Sequence, residues 1–370
     1  MKTIKNLLLY YPSNAASEAI LSIALAMNKK GYKTILLTTC KAGDLHSSFQ
    51  KHNIETYNYS VPKNNFFLIK QFFFLIRFCR RYNIDYIYSH LQAANFIAVL
   101  AQYFLKAKLL VCRHHSDYIR LGSSKTARFF DKVIGKCAKN IVAVSDRVKH
   151  EMQKHEGVNP KKIIRINNAY DFSLFPPVNK KAKKHIIKNY NLTGKDIVLL
   201  NVGRMIPIKR QAQLLELIFL LKKDGFHIKL LIIGAGQLKK ELVKIAEDYK
   251  ISNEVVFTGQ INNIRDYMDC CDLQVHLSES EASNNVVKEF ALLGKPSVVC
   301  NNVGDFEDYC TSDNSYLIQK DFNVVDLKSI IVQIINNKED LERKGEEMRS
   351  TVKSIFSIDN VTPKYLDEFN

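Results

Sequence analysis

Residues 273–296 read LQVHLSESEASNNVVKEFALLGKP and predict one short strand followed by one helix. Apolar residues at positions 273, 275 and 277 alternate with polar ones, which is typical of a strand. Apolar residues at 286, 287, 290, 291 and 293 then follow helical spacing. Either Ser283 or Asn284 suits the N-cap, while Gly294 and Pro296 end the helix.

The same alternation of strand and helix continues in both directions along the chain. In the first half, the strand-like runs are NLLLYY, KTILLTT, DYIYSH, KLLVCRH and NIVAVS. In the second half, DIVLLNVGR, IKLLIIGAG, EVVFTG, LQVHLS and PSVVCN are separated by predicted helices at 211–224, 237–249, 263–270 and 284–293. This pattern predicts an α/β protein with two doubly wound, Rossmann-like domains. Their strand ends are expected to line one ligand-binding cleft.

The length of 370 residues also favours two domains over a single core. A proline pair and a lysine cluster place the predicted linker near 172–190. The predicted domains are 1–175 and 176–350, with residues 351–370 expected to pack back on the first. The N-terminal segment is predicted to be a first strand rather than a signal peptide.

The net charge of +17 is unevenly distributed. Residues 1–175 contain 27 Lys and Arg against 10 Asp and Glu, whereas residues 176–370 contain 27 of each class. A negatively charged partner is therefore expected for the N-terminal domain. A nucleic acid is one alternative, but no recognition motif supports it, so we predict no nucleic-acid partner.

The sequence argues against a redox cofactor, a disulfide framework and a metal. The eight cysteines form no C-x-x-C pair, so thiols in a reducing cytoplasm are expected. IIGAGQLKK lacks the third glycine of the dinucleotide fingerprint because Lys239 occupies that position. Asp266 and Asp269 fall in a helical run rather than at a strand end, so we expect no bound metal and no cofactor.

The stretch GRMIPIKRQAQLLE follows a predicted strand and begins the next helix. It places Gly203 and Arg204 at the strand end and Lys209 where the helix starts. Arginine makes forked contacts with phosphate and lysine supplies a point charge, so the pattern suits a diphosphate. Solvated surface charge is the alternative, and it is equally probable for Arg204 taken alone.

Taken in order, six segments resemble glycosyltransferase family 4, the retaining sugar-nucleotide transferases with the GT-B fold. They are IVAVSDRVKHEM, KIIRINNAYDFSLF, GRMIPIKRQAQLLE, LLIIGAG, VVFTGQ and ESEASNNVVKEFALLGKPSVVCNNVGDFEDY. The last contains the family's pair of acids separated by seven residues, as Glu281 and Glu289. The resemblance covers most of the chain, and the joint order and spacing are its specific feature.

The resemblance implies a role for each matching residue. Glu289 would bind the ribose hydroxyls, and Glu281, assigned to catalysis, would contact hydroxyls of the donor sugar. The other implied donor contacts are backbone N–H groups of Asn284, Asn285 and Val286, the cations Arg204 and Lys209 for the diphosphate, and Gly203, Gly259, Gln260 and Ile261 around the nucleotide.

In the N-terminal domain, the family usually has a histidine near the sugar. His114 is the preferred catalytic candidate, His115 is possible, and His90 is a weaker candidate of the same type. The loop after the first strand departs from the family, because Ser13 and Asn14 stand where adjacent glycines are common. Ser13 and Asn14 are candidate donor-site residues, and the loop lacks the glycines through which the family's backbone approaches the donor phosphates.

The resemblance implies a retaining, metal-independent transfer of a hexose or N-acetylhexosamine from a UDP-sugar, with GDP as an alternative. The expected acceptor is lipid-linked or a surface glycan of bacterial lipopolysaccharide, O-antigen or capsule. A catalytically silent sugar-binding protein and an inverting GT-B transferase are the alternatives. The presence of all four polar residues that the resemblance assigns to the donor site argues against the silent protein: Arg204, Lys209, Glu281 and Glu289.

A basic and aromatic stretch, KNNFFLIKQFFFLIRFCRRY, occupies residues 63–82. It is shorter than the roughly 18–20 apolar residues that span a bilayer. One interpretation is an interfacial helix at the cytoplasmic face of an anionic inner membrane. The other is a buried helix with a charged edge, which is at least as probable for the central FFFLI.

Overall fold

The computed structural model of the protein divides into an N-terminal unit, Met1–Phe175 with Ile355–Asn370, and a C-terminal unit, Pro176–Ser354. Each unit contains one parallel β-sheet whose strands alternate with helices along the chain. The predicted α/β class with two doubly wound sheets is confirmed. The structure describes residues 4–62, 66–117, 124–261 and 263–369.

In the N-terminal unit, the described strands form a seven-stranded sheet in the order β3-β2-β1-β4-β5-β6-β7. The strands are β1 Lys5–Tyr11, β2 Tyr32–Thr38, β3 Glu55–Asn58, β4 Tyr86–His90, β5 Lys108–Arg113, β6 Asn140–Ala143 and β7 Ile163–Arg165. The helices between them are α1 Glu18–Lys29, α2 Asp44–Gln50, α3 Phe67–Arg81, α4 Gln92–Ala101, α5 Lys125–Cys137 and α6 Asp146–Lys154.

In the C-terminal unit, the described strands form a six-stranded sheet in the order β10-β9-β8-β11-β12-β13. The strands are β8 Ile197–Val202, β9 Ile228–Ile233, β10 Val255–Gly259, β11 Leu273–His276, β12 Ser297–Cys300 and β13 Tyr316–Ile318. The helices are α7 Lys180–Asn189, α8 Gln211–Lys223, α9 Lys239–Asp248, α10 Ile264–Asp269, α11 Asn285–Ala291, α12 Phe306–Tyr309, α13 Val324–Ile335 and α14 Lys338–Phe356.

The central strands are buried along their length, which explains their nearly continuous apolar sequences. Leu7, Leu8 and Leu9 of β1 are all 0% exposed, because a parallel sheet in this fold is covered on both faces. The strand order reverses between β1 and β4 in one sheet and between β8 and β11 in the other. Loops at such a reversal diverge beyond the strands' carboxyl ends, where α/β proteins bind ligands.

The last helix, α15 Ile358–Phe369, belongs to the N-terminal unit. The ring of Phe369 lies 5.3 Å from that of Tyr86, and the hydroxyl of Tyr88 donates to that of Tyr365 over 3.4 Å. Ahead of this helix, the N–H of Tyr170 donates to the carbonyl of Phe356. The chain therefore returns to the first sheet after completing the second.

The predicted linker at 172–190 is only partly a linker, because residues Lys180–Asn189 form helix α7 in the C-terminal unit. Asp266 accepts the backbone N–H of Asn179, just ahead of the helix, and Asp269 pairs with Lys183 at 2.6 Å. Both acids lie on α10, as the sequence predicted. They help to fix α7, whose own sequence buries only Ile186.

Candidate active site

The loop after β8 carries the predicted diphosphate-binding residues and is held by its neighbour after β9. The N–H of Gly203 donates to Ile233, and the N–H of Met205 donates to Ala235. A Cβ on Gly234 would lie 2.1 Å from the carbonyl oxygen of Gly203, so only glycine permits this approach. The glycines of IIGAG therefore serve the packing of two loops.

Lys209 and Glu281, predicted from separate motifs, form a salt bridge. Lys209 follows β8 and Glu281 follows β11, the two strands at the reversal of the second sheet. His276, at the end of β11, lies 2.6 Å from the same carboxylate oxygen through its Nε2. We call Lys209, His276 and Glu281 the Glu281 cluster.

The surroundings of Glu281 keep its carboxyl group ionised. Burial alone would raise its pKa, but the hydrogen bond with His276 and the charge of Lys209 lower the pKa to about 2. The backbone N–H of Glu279 also donates to Ile208, and Arg210 pairs with the Glu279 carboxylate at 2.6 Å. The two loops are thus fixed together by main-chain and charged contacts.

Asp305 fixes the segment between Glu281 and α11 through hydrogen bonds and a salt bridge. This carboxylate accepts the N–H of Asn284 and the hydroxyl of Ser283, and it forms a salt bridge with Lys288. Lys288 and Asp305 are 1% and 0% exposed. A buried cation must be paired, so this contact fixes α11 against the loop that precedes α12.

The structure selects Asn284 as the N-cap of α11, because its side chain accepts the N–H of Val287. Its own N–H is already bonded to Asp305. The resemblance implied that this N–H would bind an oxygen of the sugar nucleotide, whereas in this structure it donates to the carboxylate of Asp305. Asn285 is exposed and Val286 half-buried at the helix start.

Glu289 lies on α11, one turn beyond the residues of the cap, and is half-buried. The charge of Glu289 acts on Arg265 of α10, where it opposes the effect of burial, which lowers the pKa of that guanidinium. Gly259 ends β10 with a φ of +75°, a value that favours glycine. Gln260 and Ile261 follow it, exposed and half-buried respectively.

Arg204 differs from Lys209 although both follow β8. Its side chain is exposed, and no carboxylate among the described residues pairs with it. Its carbonyl oxygen accepts from Gln211, so the main chain at this residue is fixed. An exposed guanidinium on a fixed backbone is able to bind an anion at the end of β8.

In the N-terminal unit, His114 pairs with His90 rather than with an acid. The distance between His90 Nδ1 and His114 Nε2 is 2.9 Å. Burial lowers the pKa of His114 to about 4, with the charge of His115 adding to the effect, and burial also lowers the pKa of His90 well below its usual value. Both imidazoles are therefore neutral at physiological pH.

His115 has a different environment, in a buried ionic network. Its Nε2 lies 2.9 Å from Asp131, which also pairs with Arg113 at 3.0 Å. Arg113 in turn pairs with Glu156. His115 thus connects β5 to α5, and His114 remains the preferred candidate for contact with the donor sugar.

The loop after β1 is fixed by its own side chains. The amide of Asn14 donates to the carbonyl of Lys41, and a Cβ on Gly43 would lie 2.9 Å from that amide nitrogen. The hydroxyl of Ser13 accepts the N–H of Ala15. Asn14 therefore connects the loops after β1 and β2.

Within the described residues, one group of side chains could hold a metal ion. The ligand atoms of His90, Cys112 and His114 lie within 4.8 Å of one another. The hydrogen bond between the two imidazoles already satisfies one nitrogen of each ring. Burial raises the pKa of the Cys112 thiol to about 12, which disfavours the thiolate that a metal requires.

Sequence reasoning missed His276 and Asp305, which support the predicted residues. His276 was assigned to the polar side of a strand, although its ring bonds to Glu281. Asp305 carried no local signal. The sequence signal lay at Lys288 instead, because a lysine among the apolar residues of α11 indicates a buried cation that needs a carboxylate partner.

Two sequence models of known families match successive parts of the chain. The family described as "Glycosyltransferase Family 4" matches residues 16–174, and the one described as "Glycosyl transferases group 1" matches residues 182–351. Together these two ranges leave only short segments at the ends and between the two units. The matches therefore concern both units.

Two relatives with known names match more than half of the chain. The chain is 21% identical over 365 residues to the N-acetyl-alpha-D-glucosaminyl L-malate synthase of Bacillus anthracis, covering 96% of this chain and 93% of that protein. It is 28% identical over 231 residues to the N-acetylgalactosamine-N,N'-diacetylbacillosaminyl-diphospho-undecaprenol 4-alpha-N-acetylgalactosaminyltransferase of Campylobacter jejuni, covering 61% of this chain and 60% of that protein.

Among solved structures, Anabaena HepE in complex with UDP-glucose matches with a TM-score of 0.83 at 18% identity, covering 98% of each chain. At this identity the likeness concerns the fold alone. The family matches, the two parallel sheets and the acid pair Glu281 and Glu289 agree with one another. The chain belongs to glycosyltransferase family 4, has the GT-B fold of two Rossmann-like domains, and is a glycosyltransferase.

Proposed function

We propose that the chain transfers a hexose or N-acetylhexosamine from a UDP-sugar to a lipid-linked or surface-glycan acceptor, with retention of configuration and without a metal. The Glu281 cluster at the reversal of the second sheet carries this proposal. It provides an ionised carboxylate beside the cation of Lys209, and Arg204 lies on the same loop as that lysine.

The chemistry of sugar transfer requires these charges. Breaking the bond between sugar and diphosphate builds negative charge on the leaving group and positive character on the sugar. Arg204 and Lys209 favour the first, and the carboxylate of Glu281 favours the second. Because Lys209 and His276 fix Glu281 before substrate arrives, little reorganisation remains for the reaction itself.

The choice of substrates rests on the relatives. HepE was crystallised with UDP-glucose, which favours UDP over GDP as the donor nucleotide. The Campylobacter relative is named for a diphospho-undecaprenol substrate and an alpha-linked product. A lipid-linked acceptor in bacterial surface-polysaccharide synthesis and a retaining reaction fit these names and the Glu281–Glu289 spacing.

The protein would act at the cytoplasmic face of the membrane, where lipid-linked acceptors are presented. Among the residues that the structure describes, no helix combines the length and hydropathy that a bilayer span requires. Peripheral attachment is supported instead by the excess of 27 basic over 10 acidic residues in 1–175. Flotation with anionic vesicles at low salt tests this location, and failure to float would contradict it.

The donor is tested by thermal shift against UDP-, GDP- and dTDP-sugars. A bound donor raises the melting temperature by mass action, and we expect the largest rise with a UDP-sugar. Glu289→Ala should abolish the response. Glu247→Ala, which removes an exposed glutamate from α9 of the same unit, should retain it. A full response in Glu289→Ala would contradict the ribose assignment.

The reaction is tested with the best donor and a diphospholipid-linked sugar acceptor. We expect release of UDP, an alpha-linked product by NMR, and unchanged turnover after exhaustive treatment with EDTA. A beta-linked product would favour the inverting alternative. Loss of activity with EDTA, restored by a divalent cation, would contradict metal independence, and binding of donor without turnover would favour a silent sugar-binding protein.

A further inference from the structure

Large apolar side chains that are exposed to solvent concentrate on one face of the N-terminal unit. The described residues expose eight such side chains, and six of them lie on α3 or at its N-cap, on the turn after α4 or on α5. Their exposed fractions range from 51% to 67%. We call this set the aromatic face: Phe66, Ile69, Phe73, Tyr103, Phe104 and Phe129. Single exposed apolar residues are ordinary, but a cluster of this kind marks an interaction site.

Ring contacts and a common groove connect most of these side chains into one surface. The ring of Phe72 lies 5.3 Å from that of Phe73 and 5.6 Å from that of Phe104. The ring of Phe96 lies 6.5 Å from that of Phe129. Between α3, α4 and the turn after it runs a groove of about 670 Å³ with exclusively apolar lining residues, Phe73, Phe96 and Phe104 among them.

The exposed side of α3 becomes more cationic along its length. Its first turns expose Ile69 and Phe73 with one cation, Lys70, and its last turns expose three cations, Arg77, Arg80 and Arg81. None of these three arginines pairs with a carboxylate among the described residues. Arg80 donates to the carbonyl of Phe104, which places a guanidinium beside the aromatic face.

We propose that the aromatic face docks on the surface of an anionic phospholipid bilayer. The aromatic side chains enter the boundary of the acyl chains, and the arginines at the end of α3 contact lipid phosphates. The groove accepts part of one lipid chain. This proposal deepens the proposed function, on which it rests for the presence of a lipid-linked acceptor.

Charge complementarity argues for lipid as the occupant. The basic excess of the chain lies in residues 1–175, which include the whole aromatic face, while residues 176–370 carry equal numbers of basic and acidic groups. A partner must therefore combine an apolar layer with dense negative charge at its edge, which an anionic bilayer does. The 15 residues of α3 cannot span a bilayer, so the helix lies along its surface.

The absence of tryptophan from the sequence provides a sharp test. Phe73→Trp and Val325→Trp would each introduce a single fluorophore at a site that is 59% exposed. The first lies on the aromatic face and the second on α13 of the C-terminal unit. Vesicles of equal parts phosphatidylglycerol and phosphatidylcholine should shift Phe73→Trp emission to the blue, and brominated acyl chains should quench it. Val325→Trp should show neither effect.

Loss of binding gives the second arm of the test. The double variant Ile69→Ser with Phe104→Ser should bind these vesicles at least tenfold more weakly, while Val325→Ser should bind as wild type. Both variants should keep the thermal response to a UDP-sugar. That response separates failure of this proposal from failure of the proposed function.

Three results would overturn the proposal. In the first, Phe73→Trp is not quenched by brominated chains although the protein floats with the vesicles, so that attachment is electrostatic only. In the second, its emission shifts with protein concentration in the absence of lipid, which would assign the face to a second copy of the chain. In the third, the double variant binds vesicles as tightly as wild type.

Discussion

The two sheets present different chemistry beyond the carboxyl ends of their central strands. Beyond β8 and β11, Lys209 and Glu281 form a charged pair, with a second buried pair below it. Beyond β4 and β5, His90 and His114 share a hydrogen bond and both are neutral. Similar topology therefore supports an ionised pair at the strand ends of one unit, and a neutral histidine pair beside the buried ion pairs of Arg113 in the other.

The distribution of net charge sharpens this comparison. The N-terminal half has the basic excess, yet the paired imidazoles of His90 and His114 at its strand ends are neutral. The C-terminal half has no net charge, yet it places two cations at the end of β8. Net charge thus reflects the outer surface of a domain, whereas a site is determined by a few residues with fixed partners.

The largest effect is expected from the buried pair of the C-terminal unit. Asp305→Ala should lower the free energy of unfolding of this unit by about 3–5 kcal/mol, because it leaves the ammonium of Lys288 buried without its carboxylate. The double variant Lys288→Met with Asp305→Ala should recover part of this loss. Urea unfolding followed by hydrogen exchange of residues 273–291 measures both.

A double variant no more stable than Asp305→Ala would show that Lys288 is not the group that Asp305 compensates. An Asp305→Ala protein as stable as wild type would show that the buried pair of Lys288 and Asp305 does not stabilise the C-terminal unit. Either result would leave Asn284 and Ser283, which also bond to Asp305, as the contacts that matter.

The second effect concerns the pH at which each unit loses stability. The pKa of His114 is lowered from 6.5 to about 4, so the unfolded chain binds the proton first and stability falls as the pH drops below about 6.5. The pKa of Glu281 is lowered from 4.5 to about 2, so its contribution of about 3 kcal/mol is complete above pH 4.5 and is lost only below it.

We therefore expect acid to weaken the N-terminal unit before the Glu281 cluster. Urea titrations at stepped pH, read by hydrogen exchange of residues 86–113 and 273–291, measure the two intervals separately. His90→Gln combined with His114→Gln should flatten the response of the N-terminal unit between pH 6.5 and 4. Simultaneous loss of stability in both units, with no effect of this variant, would contradict the assignment.

Much of the fold could be predicted because apolar periodicity is a local property. The helix predicted at 211–224 is Gln211–Lys223, and the strand within DIVLLNVGR is Ile197–Val202. The strand Glu55–Asn58 gave no signal, since its residues are half-buried or exposed. The helix at 180–189 was mistaken for part of a linker, because its partners Asp266 and Asp269 lie more than 80 residues further on.

The candidate site shows the same limit. The motifs predicted Lys209 and Glu281 individually, and the structure shows that they pair. His276 and Asp305 acquire their roles only through contacts between separate loops, which no spacing rule describes. Sequence patterns thus indicate which residues meet a ligand more readily than they indicate which residues position them.

The smallest effect on stability is expected at Arg204. This residue tests whether a charge can contribute to donor binding without contributing to the stability of the fold. Its side chain is exposed and unpaired among the described residues, so Arg204→Gln should change the free energy of unfolding by less than about 0.5 kcal/mol. If the guanidinium binds the donor diphosphate, the Kd for a UDP-sugar should rise about 10- to 150-fold, since a charge-assisted hydrogen bond contributes about 1.5–3 kcal/mol.

Lys223→Gln, which removes an exposed cation at the end of α8, is the matched control for calorimetric titration with the donor. An equal rise of Kd in both variants would mean that the donor responds to the overall positive potential of the unit rather than to Arg204. Added salt should then weaken binding by screening that potential. An unchanged Kd in Arg204→Gln would identify that residue as a solvated surface charge. Recognition of the diphosphate would then depend on Lys209, whose ammonium also pairs with Glu281.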